Sequence, residues 1–418
     1  ALSSVIPCYA AGQMQKLRVL RIWCCNGIKE VFETQSGMIS NKNKSGCDEG
    51  IPRVNNNVIM LPNLKILEIL GCGGLEHIFT FSAIGSLTHL EELKICSCDS
   101  MKVIVKKEEE DASSSSSSSK KVVVFPRLKS IELSYLPELE GFFLGMNEFG
   151  FPSLDNVTIN ECPQMRVFAP GGSTALQLKY IRTGLGKYTL DESGLNFFHV
   201  QHHQQTAFPS LHGATSEAIP WYFHNLIELD VEQNHDVKNI IPSGELLQLQ
   251  KLENIIVRDC EMVEELFETA LEVAGRNRKS SSGHGFDEPS QTTTLVNIPN
   301  LREMTLDLLE NLRYIGKSTR WTVYEFPNLT SLYIGCCKRL DHVFTSSMVG
   351  SLLQLQELTV RYCHNMEEVI VKDASGVVEE ESVCKRNEIL VLPRLKSLIL
   401  DDLPCLKGFS LGKEDFSF

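Results

Sequence analysis

The chain has 418 residues, 42% of them hydrophobic and 22% charged, with a formal net charge of −13; this is the composition of a folded protein. The acidic balance argues against a partner held by its phosphate backbone, which requires a basic surface. No apolar run approaches the roughly 18 to 20 residues that a helical membrane span needs.

Taken in chain order, one nine-residue phrase recurs: Leu-x-x-Leu-x-(Leu/Ile/Val)-x-x-Cys. It runs from Leu64 to Cys72, Leu90 to Cys98, Leu154 to Cys162, Leu252 to Cys260, Leu329 to Cys337 and Leu355 to Cys363. A variant closing on Leu runs from Leu128 to Leu136 and from Leu395 to Leu403. With weaker copies opening at Leu17, Leu178, Leu226 and Leu301, the chain carries about twelve turns on the leucine-rich-repeat template. Such turns stack around one continuous core, so the length does not imply separate domains. Cys25, Cys72, Cys98, Cys162, Cys260, Cys337 and Cys363 all close a phrase. A residue type held at one periodic slot is packing, where free Cys acts as a small hydrophobe. A reduced, cytoplasmic protein is therefore expected.

Within each turn the period changes. Leu67-Glu68-Ile69 alternates apolar and polar residues, as a half-buried strand does. After the Cys the spacing becomes three (Cys72, Leu75, Ile78), which suits a tight, partly helical return. Ser82 to Leu87 and Ser346 to Leu352 each open on a capping serine and should form short helices. The expected fold is an α/β leucine-rich-repeat solenoid, a curved horseshoe. Its parallel sheet lines the concave face, with short helices and irregular loops on the convex side.

Residues 64–145 and 329–412 match in order, so a larger duplication overlies the repeat. Insertions at 34–58, 106–122, 183–220, 272–297 and 372–390 interrupt it, the second holding serines without a break from Ser113 to Ser119. Such stretches cannot offset their ordering entropy by burial and should be mobile. The first residue is Ala, no signal peptide opens the chain, and it stops where another turn is due. We therefore expect a piece of a longer protein.

Two segments imitate catalytic motifs. Gly408-x-Ser410-x-Gly412 spells a nucleophile elbow, but the duplicate has Phe143 at the serine position, so the slot is a packing position. Thr183-Gly184-Leu185-Gly186-Lys187-Tyr188 resembles a phosphate loop, but has Ile181 where the first glycine belongs and Tyr188 where magnesium would need Ser or Thr. His199, His202 and His203 could share a helical face, yet no Cys completes a zinc set. His77 and His342 are equivalent in the two copies, which fits structural placement. The Asn-x-Ser/Thr triplets at Asn43, Asn156 and Asn328 read as chance matches in a cytosolic protein. No catalytic, cofactor-binding or metal-binding residue is assigned, and the chain is not expected to be an enzyme.

The third, fifth and seventh residues of each phrase should point away from the core. They vary from turn to turn while the core slots stay monotonous. The candidates for partner binding on this concave face are Arg21, Trp23, Glu68, Lys94, Glu132, Asn160, Asp230, Glu232, Arg258, Asp307, Tyr333, Arg361 and Asp401. Twelve strands at ~4.8 Å spacing make a surface roughly 55 Å long. That extent suits a protein partner better than a metabolite.

The Cys-ended turns, joined by phrases such as Phe125-Pro126-Arg127-Leu128 and Leu133-Ser134-Tyr135-Leu136-Pro137-Glu138-Leu139, resemble the leucine-rich-repeat region of plant intracellular immune receptors. These are the coiled-coil, nucleotide-binding, leucine-rich-repeat resistance proteins. Gly71 to Phe79 and Phe151-Pro152-Ser153-Leu154 are similar to the lettuce resistance-gene-candidate group, linked to downy mildew resistance. The resemblance implies recognition of a pathogen effector or a guarded host protein. It also implies restraint of a separate nucleotide-binding module, where any ADP or ATP would bind. The alternative is the substrate-recruiting repeat domain of a ubiquitin-ligase adaptor; neither reading calls for a nucleic acid or a membrane span.

Overall fold

A computed structural model describes residues 4–6, 14–32, 61–107, 122–190, 194–196, 223–269, 294–317, 322–373, 389–411 and 415–417. The chain divides into two compact units, Ala1–Gly184 with Tyr188–Trp221, and Leu185–Lys187 with Tyr222–Phe418.

In the first unit the phrases form parallel strands β1 (Val19–Trp23), β2 (Ile66–Leu70), β3 (Glu92–Cys96), β4 (Ser130–Ser134), β5 (Asn156–Asn160) and β6 (Tyr180–Arg182). Each strand pairs with the next in chain order. Register is kept slot for slot: Glu68 faces Lys94, and Lys94 faces Glu132. The second unit repeats the arrangement with β7 (Leu226–Glu232), β8 (Asn254–Arg258), β9 (Glu303–Asp307), β10 (Ser331–Gly335), β11 (Glu357–Arg361) and β12 (Ser397–Asp401). Glu232, Arg258, Asp307, Gly335, Arg361 and Asp401 stand in one row across these six strands.

The first, fourth, sixth and ninth residues of each phrase build the core. Leu64, Leu67, Ile69 and Cys72 are 0% exposed, and so are Leu355, Leu358, Val360 and Cys363. Burying each such aliphatic side chain stabilises by about 1.5–3 kcal/mol, but only because a neighbouring turn covers it. Burial is uneven in two turns: Cys25 is exposed although Ile22 of β1 is buried, and Leu398 and Leu400 of β12 are 40% and 37% exposed. Cys25 thus departs from the expectation that the closing cysteines are all core residues.

The buried closing cysteines do more than fill space. The thiols of Cys162 and Cys260 donate to the carbonyls of Asn160 and Arg258 two residues back, at 3.3 and 3.2 Å. They also reach the preceding turn, at Leu133 and Val231. A small side chain with a weak donor therefore closes the bend and touches two turns. The eleven described cysteines are all free.

The return path differs from the expectation of helices and irregular loops. It is built mostly of short parallel strands stacked turn on turn. Phe79–Thr80, Val103–Lys106 and Gly141–Phe143 form one such sheet; Asn239–Ile241, Glu265–Phe267 and Tyr314–Gly316 form another. Among the described residues the α-helices are two single turns, α1 (Phe81–Ile84) and α2 (Ser346–Val349). Their N-caps are Thr80 and Thr345 rather than the expected serines, and neither makes a side-chain cap hydrogen bond. At α2 the job passes to the next turn, where Asp373 accepts from the Ser347 backbone N–H at 2.7 Å.

The Phe-Pro phrases also have a packing role. Phe125 stacks on Phe151 at 5.5 Å and Phe142 on Phe168 at 4.7 Å, so successive turns are joined by ring contacts in the first unit. In the Pro-Asn-Leu triplets the asparagine reaches back one turn. The side-chain amide of Asn63 donates to Gln15 O, that of Asn300 to Gln250 O and that of Asn328 to Pro299 O, at 2.5 to 2.7 Å. Asn328 therefore has a structural use; Asn43 lies outside the described residues.

Of the five insertions, 34–58 lies wholly outside the described residues, as do the serine run and most of the other four. Parts of the third are structured. Gly186–Thr189 is a strand, and Asn196 is pinned to the turn before it. Thr294–Asn297 is a strand paired with Thr322–Glu325.

Candidate protein-interaction face

Alternation along each strand sends the third, fifth and seventh slots to the open face of the main sheet. All thirteen candidates stand there. Arg21, Trp23, Asp230, Glu232, Arg258 and Asp401 are exposed; the other seven are half-buried by their neighbours. The rule fails at three small residues of the seventh slot, Gly335, Cys96 and Ser134, which are buried, the last two at 7% and 6% exposure. Glu132 lies over the Cys96 thiol, which donates to its carboxylate at 3.7 Å. Burial and that carboxylate push the thiol up to about 11.

The two units differ in how the face is charged. In the first, acids and bases are balanced, three of each, and four of the six pair across strands: Arg21 with Glu68 at 2.8 Å, and Lys94 with Glu132 at 3.0 Å. Trp23 is 54% exposed and Val19 41%, on either side of Arg21 on β1, so this strand presents apolar surface flanking an ion pair. Arg182 lies over the Tyr180 ring, 5.4 Å from its centroid.

In the second unit the eighteen slots of the six strands hold seven carboxylates and two guanidiniums, an excess of acid. Two carboxylates are matched, Glu228 by Lys187 at 2.6 Å and Asp401 by Arg361 at 3.8 Å. Asp230 sits between Glu228 and Glu232 on its own strand. Its carboxyl lies above the usual carboxylate range, through partial burial first and the Glu228 charge second. The central row runs Asp230, Ile256, Thr305, Tyr333, Thr359, Ile399. Gly335 leaves room for both Asp307 and Tyr333: a Cβ there would collide with Asp307 Oδ1 and lie 2.8 Å from Tyr333 Oη.

One column was missed in the sequence. The eighth residue of the phrase holds a left-handed backbone in turn after turn, at φ 54° for Ser97, 55° for Tyr135, 56° for Leu308 and 56° for Tyr362. Its N–H donates to the strand-end carbonyl of the next turn, as from Tyr135 to Asn160 O at 3.0 Å and from Tyr362 to Asp401 O at 3.0 Å. The strained bend turns the side chain outward, leaving Tyr135, Tyr362 and Leu308 57%, 44% and 45% exposed. The available signal was the variety of the slot, which holds Cys, Gly, Ser, Tyr, Glu, Gln, Asp and Leu.

The phosphate-loop imitation is absorbed by the fold. Lys187 is paired with Glu228, and Gly186 (φ 146°) packs against the Glu228 carbonyl where a Cβ would collide. His77 is 7% exposed, and burial holds both His77 and His342 below the usual imidazole range. His199, His202 and His203 lie outside the described residues. Among the described residues no group of three or more His, Cys, Asp or Glu could hold a metal ion, and no helix is long and apolar enough to cross a membrane.

No curated protein matches the chain in sequence. Among solved structures, a leucine-rich cell surface protein from Faecalibacterium prausnitzii A2-165 aligns at 10% identity, over 90% of this chain and 84% of that one, with a TM-score of 0.18. The family described as plant disease resistance protein RPS2-like, leucine-rich repeats, matches residues 51–180 and 210–364. The chain belongs to this plant disease-resistance leucine-rich-repeat family.

Proposed function

We propose that this chain is the recognition and restraining region of an intracellular plant immune receptor, akin to the lettuce resistance-gene-candidate group. Its strand face binds a pathogen effector or a modified host protein. A separate nucleotide-binding module, which would carry ADP or ATP, is held or released accordingly. A ligand moves such a switch only by binding its two states unequally. The observation that carries the reading is the contrast between slots: the buried ones repeat Leu, Ile, Val and Cys, while the open face changes its chemistry at each strand. Leucine-rich repeats are stacked interaction surfaces, which fits the absence of any assigned catalytic group.

The test exchanges the open-face residues of β8 to β11 between two receptors of different specificity. A plant cell-death response is then scored against each effector. Specificity should follow the exchanged face. If it follows the insertions and ignores the face, the reading is wrong.

A further inference from the structure

Resting on that reading, we infer that the strand face of the second unit takes a basic amphipathic helix of a protein partner. The uncompensated charge comes first. Asp230, Glu232, Glu303, Asp307 and Glu357 have no cationic side chain within 4.0 Å among the described residues. The first unit holds three acids and three bases on its face and pairs four of the six across strands, so the repeat itself does not impose this imbalance. These carboxylates stand on alternate strands, or two residues apart on β7, and none faces another across neighbouring strands; a cationic partner would gain affinity and orientation from their unmatched charge.

Shape comes second. Glu228, Glu303 and Glu357 stand along one side of the face, with no basic residue among them, whereas along the other Glu232, Asp307 and Asp401 alternate with Arg258, Gly335 and Arg361. Four residues of strand separate the two sides, about 13 Å at the usual rise, which matches a helix of roughly 10–12 Å diameter. Between them Ile256, Tyr333 and Ile399 offer apolar surface. From β7 to β12 is five strand spacings, roughly 24 Å, or about 16 residues of helix. A helix lying across the strands would set its apolar stripe on Ile256, Tyr333 and Ile399, and its lysines or arginines on the side of Glu303 and Glu357 and around Asp230, Glu232 and Asp307.

The experiment titrates the full chain with a fluorescent 18-residue helical peptide carrying a leucine stripe flanked by lysines. Two control peptides accompany it: one with glutamate for lysine, and one of unchanged composition with D-leucines that break the helix. The Lys helix should bind, with affinity falling as salt rises, and both controls should bind at least tenfold more weakly. The triple variant Glu303→Gln/Asp307→Asn/Glu357→Gln should weaken binding at least tenfold. The charge-matched variant Glu138→Gln/Glu140→Gln/Asp155→Asn, on exposed residues of the first unit, should change it less than twofold. Circular dichroism checks that both variants fold. Equal losses in the two variants would reveal general attraction to an acidic chain and overturn the inference, as would no binding or equal binding of the helix-broken peptide. If the Lys helix fails to bind while face exchange still moves recognition, this inference falls and the recognition reading stands. The reverse pattern removes the recognition reading alone.

Discussion

Asn196 holds a turn in place, and its removal has a cost that can be worked from its bonds. Its Oδ1 accepts from the backbone N–H groups of Phe168 and Ala169 at 2.8 and 2.9 Å, and its amide donates to Ala169 O at 2.8 Å. Phe168 and Ala169 are both 0% exposed. In Asn196→Ala, Ala169 O keeps a second donor, the Gly172 N–H at 3.0 Å, but the two amides lose their acceptor. An orphaned buried donor costs about 1–3 kcal/mol, so the variant should lose about 2–6 kcal/mol locally, toward the lower end where water can enter. Asn160→Ala is the contrast: its Oδ1 is buried without a hydrogen-bond partner, so truncation there should be neutral or stabilising. Stacked repeats need not unfold as one unit, so the assay is native-state hydrogen exchange read at residues 168 and 169, with denaturant unfolding beside it. Asn196→Ala should speed exchange at those amides at least thirtyfold, corresponding to about 2 kcal/mol. Unchanged exchange there, or an equal effect from Asn160→Ala, would refute the reasoning.

Thiol labelling of the native chain, mapped by peptide mass, should modify Cys24, Cys25 and Cys405, which are exposed, well before Cys98 and Cys162. Burial pushes those two thiols up to about 11 and about 12, so thiolate is scarce as well as inaccessible; rapid labelling of Cys162 would contradict the packing. Burial holds His77 and His342 below their unfolded range, so the folded state binds fewer protons. Their contribution is complete above the unfolded value near ~6.5 and is lost as pH falls below it. A His77→Gln/His342→Gln variant should therefore show a smaller drop in melting temperature between pH 7 and pH 5. Asp230 is shifted upward, so its carboxylate opposes folding once pH rises through the folded value. Asp230→Asn should raise the melting temperature at pH 7 and not at pH 3. Gly335→Ala should leave stability within about 1 kcal/mol, because the side-chain ends of Asp307 and Tyr333 can move away. It should still alter partner binding, which the same peptide titration would register.

The sequence reading succeeded where a constant period met a constant neighbour. Leu-x-x-Leu-x-Leu announced a strand because alternation and burial coincide, and the cysteine slot announced packing because it recurred. It failed where the deciding partner lies one turn away. Strands of two or three residues, such as Phe79–Thr80, have no period of their own and exist because Val105 and Lys106 lie beside them. The cap of α2 comes from Asp373, twenty-six residues beyond Ser347. Cys25 shares the slot of Cys72 but not its cover, so the same letter is exposed in one turn and buried in the next. On the open face, alternation placed the candidates, whereas the charge pairing that separates the two units depends on register across strands.

The bend after each strand has a consequence for how such a chain can vary. The N–H of its left-handed eighth residue donates to the carbonyl of the seventh slot of the next turn, so nine residues form a frame of fixed length. A genetic crossover between two phrases at equivalent slots, such as those opening at Leu64 and Leu329, rejoins strand to strand in register. Gaining or losing one residue inside the frame would instead turn the leucines outward. Length can change after the bend, and chemistry can change on the open slots. The frame thus lets whole turns be shuffled while the core they share remains the same.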